Sequence, residues 1–377
     1  MTSRERLLTV LRGDIPDCVP AAPDFSNMIP AKLTGKPFWE LYLYNNPPVW
    51  EAYIECAKHF NIDALMDGYF PFQYPGEPLP DEGWEPFIVS RSEDRIVTQF
   101  SRMENGRREW KNVVNAYPAD NPPTRNIPPW KIGLPEVPER FEPLEGVRTF
   151  DRGSKGLKRA KELMGNQGLV GVSVTSTLAL PNEEMIYWYY DHPDKHEEMA
   201  ADRIALAEER FAKIMALDEK PDFLCVGGSG TLVFQNVEMF RKVALPAVKR
   251  VIELAAAAGI PTHVHSCGPA RELVRIMAEE TALTVIDPLE TPPMGDCDLR
   301  EVKRNYGKRL TLKGNLHTTS VMLRGSREEV VRASKRAIDD AAENGRFILS
   351  TGDQCGRDTP FENLRALVET ARMYGKY

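Results

Sequence analysis

The chain has 377 residues, with 48 Lys+Arg against 55 Asp+Glu and a formal net charge of −7. Its 42% hydrophobic and 27% charged residues are near the average for soluble globular proteins, which excludes a disordered or collagen-like chain. The acidic balance argues against a general nucleic-acid or anionic-membrane surface, and the apolar run Leu254 to Ile260 is far too short to cross a bilayer.

The opening MTSRERLLTVLRGD is an amphipathic charged helix, Ser3 to Arg12, without an apolar signal core, so the expected compartment is the cytoplasm. Cys18–Pro23 reads as extended, Pro47–Phe60 as helical and Ile62–Met66 as a short buried strand. Phe87–Ser92, Arg95–Met103 and Arg107–Val114 then alternate polar and apolar residues, with turns at Glu93-Asp94 and Asn105-Gly106. An Asn-Gly pair between such runs is a strong hairpin signal. Of the 30 prolines, eight lie between Pro118 and Pro143, and no helix can run through that connector because proline breaks the ladder.

From residue 154 short apolar strands alternate with longer helices. The strands are Gly168–Val174, Asp222–Val226, Pro261–His265, Leu283–Ile286, Leu310–Lys313 and Phe347–Ser350. Helices fall at about 182–190, 194–217, 234–259, 269–279, 298–306, 326–343 and 360–374. The helix after Ser326 opens with a capping-box sequence and stops before Gly345. This alternation predicts βα units and a parallel sheet. With the segments near residues 19 and 62 the strand positions number eight. The predicted fold is therefore α/β: a single closed (β/α)8 TIM barrel over residues 1–377, carrying residues 75–150 as an antiparallel β insertion and connector after strand two. An open doubly wound sheet is the alternative. Gly227-Gly228-Ser229-Gly230 lacks the spacing and the early position of a dinucleotide fingerprint.

Barrels place their chemistry at the carboxyl ends of the strands. Those ends carry Cys225, His263, His265, Cys267, Asp287, Glu290, Asn315, His317, Asp353 and Cys355. In an extended strand residues i and i+2 share a face, so His265 and Cys267 aim at one point, and Cys355 can complete a three-ligand nitrogen and sulfur set. Zinc suits such ligands, and three protein ligands leave an open position, which Glu290 or Asp353 can fill at rest. A satisfied core histidine with two small buried thiols explains the motif equally well. The remaining cysteines of the six read as core, except Cys297, which is expected to be more exposed and to be a substitute ligand. His263 shares the face of His265 and reads as a buried, hydrogen-bonded group beside it. Aromatic residues cluster at Phe38–Trp50, at Tyr69, Phe70, Phe72 and Tyr74, and at Tyr187–Tyr190. The second cluster follows strand two directly and is expected to wall a flat substrate.

The stretches THVHSCG, IDPLETPPMGDCDLREVKRNYGKRLTLKGNL and ILSTGDQ…TPFENLRALVETARMYGKY, with the opening SRERLLTVLRGDIPDCVP, resemble the uroporphyrinogen decarboxylase superfamily. The resemblance covers the ends and the whole second half and is weak over residues 75–150. It implies a (β/α)8 barrel. Decarboxylases of that superfamily carry an arginine-rich amino-terminal motif for substrate carboxylates, where this chain has AAPDFSNMIPAKL. The loss of those arginines argues against a polycarboxylate substrate. The other branch, corrinoid-linked methyltransferases similar to coenzyme M methyltransferases, binds zinc through His-x-Cys and a distant Cys, matched here by His265, Cys267 and Cys355. GNLH puts His317 where an aspartate is common in the family.

The resemblance thus implies zinc-dependent methyl transfer involving a corrinoid protein. The chain has no DxHxxG corrinoid signature, so the corrinoid (cobalamin) is expected on a partner. A small methylated substrate, best an aryl methyl ether, is the expected donor, with transfer from the corrinoid protein to a thiol as the alternative. Glu290 and Asp353 are the expected catalytic carboxylates, Asn315 a positioning group, and Tyr69, Phe70, Phe72, His263 and His317 the substrate contacts. A tetrapyrrole decarboxylase and a non-catalytic zinc or corrinoid-handling protein are the other readings. No nucleic-acid or membrane partner is expected, and the chain reads as a monomer or homodimer.

Overall fold

In this computed structural model, which describes residues 1–25, 27–79 and 81–377, the first helix forms over Ser3–Arg12. Thr2 caps it in a capping box with Glu5, and Gly13 ends it at a φ of 89°. Its apolar face, Leu7, Val10 and Leu11, packs with Leu65, Leu169, Phe223, Val285 and Ile348. Those partners sit near the amino ends of their strands, so apolar burial holds the helix at that end of the sheet.

The strands are β1 (Ala64–Met66), β2 (Glu85–Arg91), β3 (Arg95–Glu104), β4 (Arg107–Pro118), β5 (Thr124–Ile127), β6 (Glu142–Pro143), β7 (Gly168–Ser173), β8 (Phe223–Cys225), β9 (Thr262–His265), β10 (Val285–Asp287), β11 (Thr311–His317) and β12 (Phe347–Gly352). They form a seven-stranded sheet in the order β1-β7-β8-β9-β10-β11-β12 and a five-stranded sheet in the order β5-β4-β3-β2-β6. The first sheet is parallel and the second antiparallel. The parallel strands are almost wholly buried, as strands covered on both faces are.

The chain divides into two compact units. One comprises Met1–Asp24, Ala57–Tyr74 and Arg152–Tyr377 and holds the parallel sheet. The other comprises Phe25–Cys56 and Pro75–Asp151 and holds the antiparallel sheet. The second unit includes two short helices, Met28–Thr34 and Phe38–Tyr42, beyond the elements expected from sequence. It also draws β5 and β6 out of the proline-rich connector, where each pairs along one side only, as proline permits.

The expected strand at Cys18–Pro23 does not form as a strand. Ala21 makes an isolated parallel bridge to Leu349. The Ala22 N–H donates to the Leu349 carbonyl at 2.9 Å, and the Asp63 N–H donates to the Ala21 carbonyl at 2.8 Å. Pro20 and Pro23 bring no N–H to a ladder, so only isolated bonds are made. The single helix expected over 234–259 is also broken. Thr231–Phe234, Val237–Met239, a π-helical turn Phe240–Ala244 and the helix Leu245–Ala257 take its place. Pro246 cannot donate into the preceding turn, and the wider turn absorbs the mismatch. Among the described residues no helix is long and apolar enough to cross a membrane.

Candidate metal centre

His265 is the last residue of β9 and lies in register with Asp287 at the end of β10. The Ser266 N–H donates to the Asp287 carbonyl at 2.9 Å, so the backbone is pinned between His265 and Cys267. The two-residue spacing then sends both side chains to one side, as the alternation of an extended strand requires. The space this needs comes from the loop after β8. At Gly227 a Cβ would stand 2.3 Å from the His265 nitrogen, so only glycine allows the chains to approach this closely.

His265, Cys267 and Asp353 bring ligand atoms within 4.8 Å of one another. His265 Nε2 is 3.5 Å from Asp353 Oδ1, and its Nδ1 is 3.1 Å from Asp287 Oδ1. Asp353 follows β12 with a φ of 91°, a conformation that side chains other than glycine adopt at a cost. The Cys267 thiol is 2.9 Å from the Ser229 hydroxyl. A nitrogen, a sulfur and a carboxylate oxygen converging from two loops form a donor set for a borderline-soft divalent cation such as zinc. The Asp287 carboxylate behind the imidazole faces Nδ1 and leaves Nε2 on the side of Asp353, the orientation a metal-ligating histidine needs.

Behind this set lies a buried charged layer. Asp287 is 1% exposed; its Oδ2 pairs with Lys313, and its Oδ1 also meets His263 Nε2 at 3.0 Å. Burial opposes the charge on Asp287, but Lys313, His263 and His265 together hold its carboxyl well below the usual range. Burial likewise opposes the imidazolium of His265, and Asp287 with its hydrogen bond and the Cys267 thiol outweighs it, raising the pKa well above the ordinary value. His263 is buried too, yet the charges of Asp67 and Asp287 lift it to about 9. Asp67, Asp287 and Lys313 were given no role from sequence. The signals were present: Lys313 interrupts an apolar strand, and Asp67 follows the buried Ala64–Met66 directly.

Glu290 stands at the same rim. It is 4% exposed and accepts a 2.5 Å hydrogen bond from the Gly268 N–H, just beyond Cys267. Burial raises its pKa; the Gly268 bond opposes that shift, and Asp353 adds to it. Asp353 is also raised, by burial first and by Asp24, against the pull of His265. Asn315 donates from Nδ2 to the Leu289 carbonyl at 3.0 Å. His317 uses Nδ1 to accept from the Thr319 and Ser320 N–H groups and so caps the turn Thr318–Leu323.

Cys355 is not within the His265, Cys267 and Asp353 group. Its side chain is fully buried, its N–H donates to the Asp24 carbonyl at 2.9 Å, and burial with the charge of Asp24 pushes its thiol up to about 12. Cys297 departs from expectation. It is 1% exposed, and burial lifts its thiol to about 12, because its N–H is tied to the Glu290 carbonyl and the loop turns inward. In the aromatic cluster after β1, Tyr69 is half-buried and donates to Asp24 Oδ1 at 3.1 Å, and Phe72 is half-buried, whereas Phe70 is 2% exposed and part of the core. Trp39, Tyr42, Tyr44 and Trp50 belong to the second unit.

The family model described as uroporphyrinogen decarboxylase (URO-D) matches residues 182–374, just over half of the chain. The methylcobamide:CoM methyltransferases MtbA of Methanosarcina mazei and Methanosarcina acetivorans are each 26% identical over 170 residues, which span 45% of this chain and 44% of each relative. A solved methyltransferase from Methanosarcina mazei superposes with a TM-score of 0.61 over 99% of both chains at 16% identity, a likeness of fold. By the extent of the family match, the chain belongs to the uroporphyrinogen decarboxylase (URO-D) family, with methyltransferases among its relatives.

Proposed function

We propose that this protein is a zinc-dependent methyltransferase that moves a methyl group between a small substrate and the cobalt of a corrinoid protein. The observation that carries the reading is the convergence of His265, Cys267 and Asp353 within 4.8 Å, backed by Asp287. In the same reading the segment Val19–Ala22, bonded to Leu349 on one side and Asp63 on the other, is the eighth stave of a closed (β/α)8 barrel, and residues 75–150 are its insertion.

Zinc, once held there, supplies Lewis-acid activation of a substrate oxygen or sulfur. His265 and Cys267 are its fixed ligands. Cys355, two residues after Asp353, would be the third ligand and Asp353 the carboxylate that would fill the fourth position at rest. Asp287 holds His265 in the required orientation. Glu290, buried beside the Cys267 loop and with its pKa raised by that burial, is the group we assign to move a proton to a leaving group. Asn315, anchored on the Leu289 carbonyl, positions substrate. The segment AAPDFSNMIPAKL lacks the arginines with which decarboxylases of the family grip substrate carboxylates, which disfavours a polycarboxylate.

The donor we infer is an aryl methyl ether, received against Tyr69 and Phe72, with the cobalt brought by a partner protein because the chain has no corrinoid signature. The second reading, methyl transfer from the corrinoid protein to a thiol, is favoured by the name of the MtbA relatives, methylcobamide:CoM methyltransferase. One screen separates them. The protein is mixed with a reduced corrinoid protein and aryl ethers, methylamines or methanol, or with a methylated corrinoid protein and thiols, and cobalt absorbance is followed. Methylation of cobalt by aryl ethers supports the first reading and loss of methyl-cobalt to thiol the second. Demethylation with no corrinoid present overturns both.

A further inference from the structure

A second set of ligands of the same type lies behind the first. His263 Nδ1, Cys225 and Asp67 also bring their ligand atoms within 4.8 Å of one another. The two sets share a carboxylate oxygen. Asp287 Oδ1 meets His263 through Nε2 at 3.0 Å and His265 through Nδ1 at 3.1 Å. Each imidazole therefore turns its other nitrogen away from Asp287, toward one cysteine and one aspartate. A histidine backed by a carboxylate on one nitrogen and facing a thiol and a carboxylate with the other is the arrangement of a metal ligand.

Two further observations bear on this set. His263 is 1% exposed, and its Nδ1 is buried without an aligned hydrogen bond, although Asp67 Oδ2 stands 2.7 Å away. The strand between β1 and β8 also makes room for the trio. On β7, a Cβ at Gly171 would stand 2.9 Å from the Cys225 sulfur and 2.5 Å from the Phe223 ring. Glycine there leaves the Cys225 sulfur room on the side of β7.

We propose that His263, Cys225 and Asp67 form a second site for a borderline-soft divalent cation, bridged to the first through Asp287. Thiolate, imidazole and carboxylate select zinc or cobalt(II) over magnesium or calcium, whose ligands are oxygens. The site is distinct from the one on which the proposed methyl transfer rests, so either can fail alone.

The test uses the full-length chain, stripped of metal with a chelator and titrated with cobalt(II), whose thiolate charge-transfer absorption reports each occupied site. Wild type is expected to bind two equivalents. Cys225→Ala and Asp67→Asn should each bind one, and Asp67→Asn keeps the side-chain shape, so it separates a lost ligand from lost packing. Cys267→Ala should also bind one, and the variant lacking both Cys225 and Cys267 none. A single equivalent in wild type that disappears in Cys267→Ala overturns the second site and leaves the first intact. Two equivalents retained in Cys225→Ala overturn it as well. Two equivalents retained in Cys267→Ala overturn the first site instead.

Discussion

His265 Nδ1 and Asp287 Oδ1 stand 3.1 Å apart at the ends of two neighbouring parallel strands, and Asp287 is 1% exposed. The carboxylate can remain charged there because Lys313 and His263 face it as well. This pair orients a strand-end histidine for the ligand role proposed for it. Substituting Asp287→Asn keeps the shape and removes the charge. Metal affinity, measured by competition with a chromophoric chelator, is expected to fall roughly 10- to 100-fold. Lys313 would also be left as a buried cation without its partner, so unfolding in denaturant should show a loss of about 3 kcal/mol.

The ligand set can be dissected by metal analysis of purified variants. Cys267→Ala and Cys355→Ala are each expected to lose the zinc of the first site. Asp353→Asn should retain zinc with weakened affinity, as suits a ligand that substrate displaces. Full zinc in Cys355→Ala would assign the third position to Asp353, where the carboxylate already stands 3.5 Å from His265 Nε2.

Glu290→Gln preserves the side-chain size and a partner for the Gly268 N–H but cannot release a proton. Zinc content should stay unchanged while turnover with corrinoid protein falls about 100-fold or more. Loss of zinc together with activity would make Glu290 a ligand instead.

Gly227→Ala tests how the site is shaped by backbone alone. Its Cβ would meet the His265 nitrogen at 2.3 Å and the His265 oxygen at 2.6 Å, both main-chain atoms with no rotamer to change. A cost of about 1–3 kcal/mol in denaturant unfolding is expected, as for other overpacked sites. Metal affinity should drop in parallel, because the strand that must shift carries the ligand. Wild-type affinity in this variant would sever the two effects.

Far from the site, Asp222 is held by Arg4 at 2.6 and 2.9 Å, by Lys161 at 3.1 Å and by the Val170 N–H at 2.9 Å. Burial raises its pKa, but these partners outweigh it and hold the carboxyl below its ordinary value. A carboxylate with a lowered folded pKa stabilises the fold above its unfolded pKa of about 3.9 and loses that contribution as pH falls through the folded value. Asp222→Asn should therefore cost about 2–3 kcal/mol at pH 7, scaled down for the partly exposed Arg4. The gap to wild type should close as pH drops below about 4. A difference independent of pH would assign the loss to packing.

Much of the fold was legible because its signals are local. Alternation of short apolar runs with amphipathic helices marked the parallel strands, the Asn105-Gly106 turn marked the β3–β4 hairpin, and period two put His265 and Cys267 on one side. The breaks came where proline acts through bonds that a periodic pattern does not show. Pro20 and Pro23 reduce the first expected strand to bridges, and Pro246 follows the π-helical turn in what read as one helix. Sequence by itself therefore determined the order of the elements, the strand-end position of the candidate chemistry and the family. Only the tertiary structure decided which residues meet. Asp67, Cys225, His263, Asp287 and Lys313 come from five separate stretches of chain, and their meeting depends on lateral register, such as Asp287 against His265. That register is set by packing between strands, which no single strand's pattern contains.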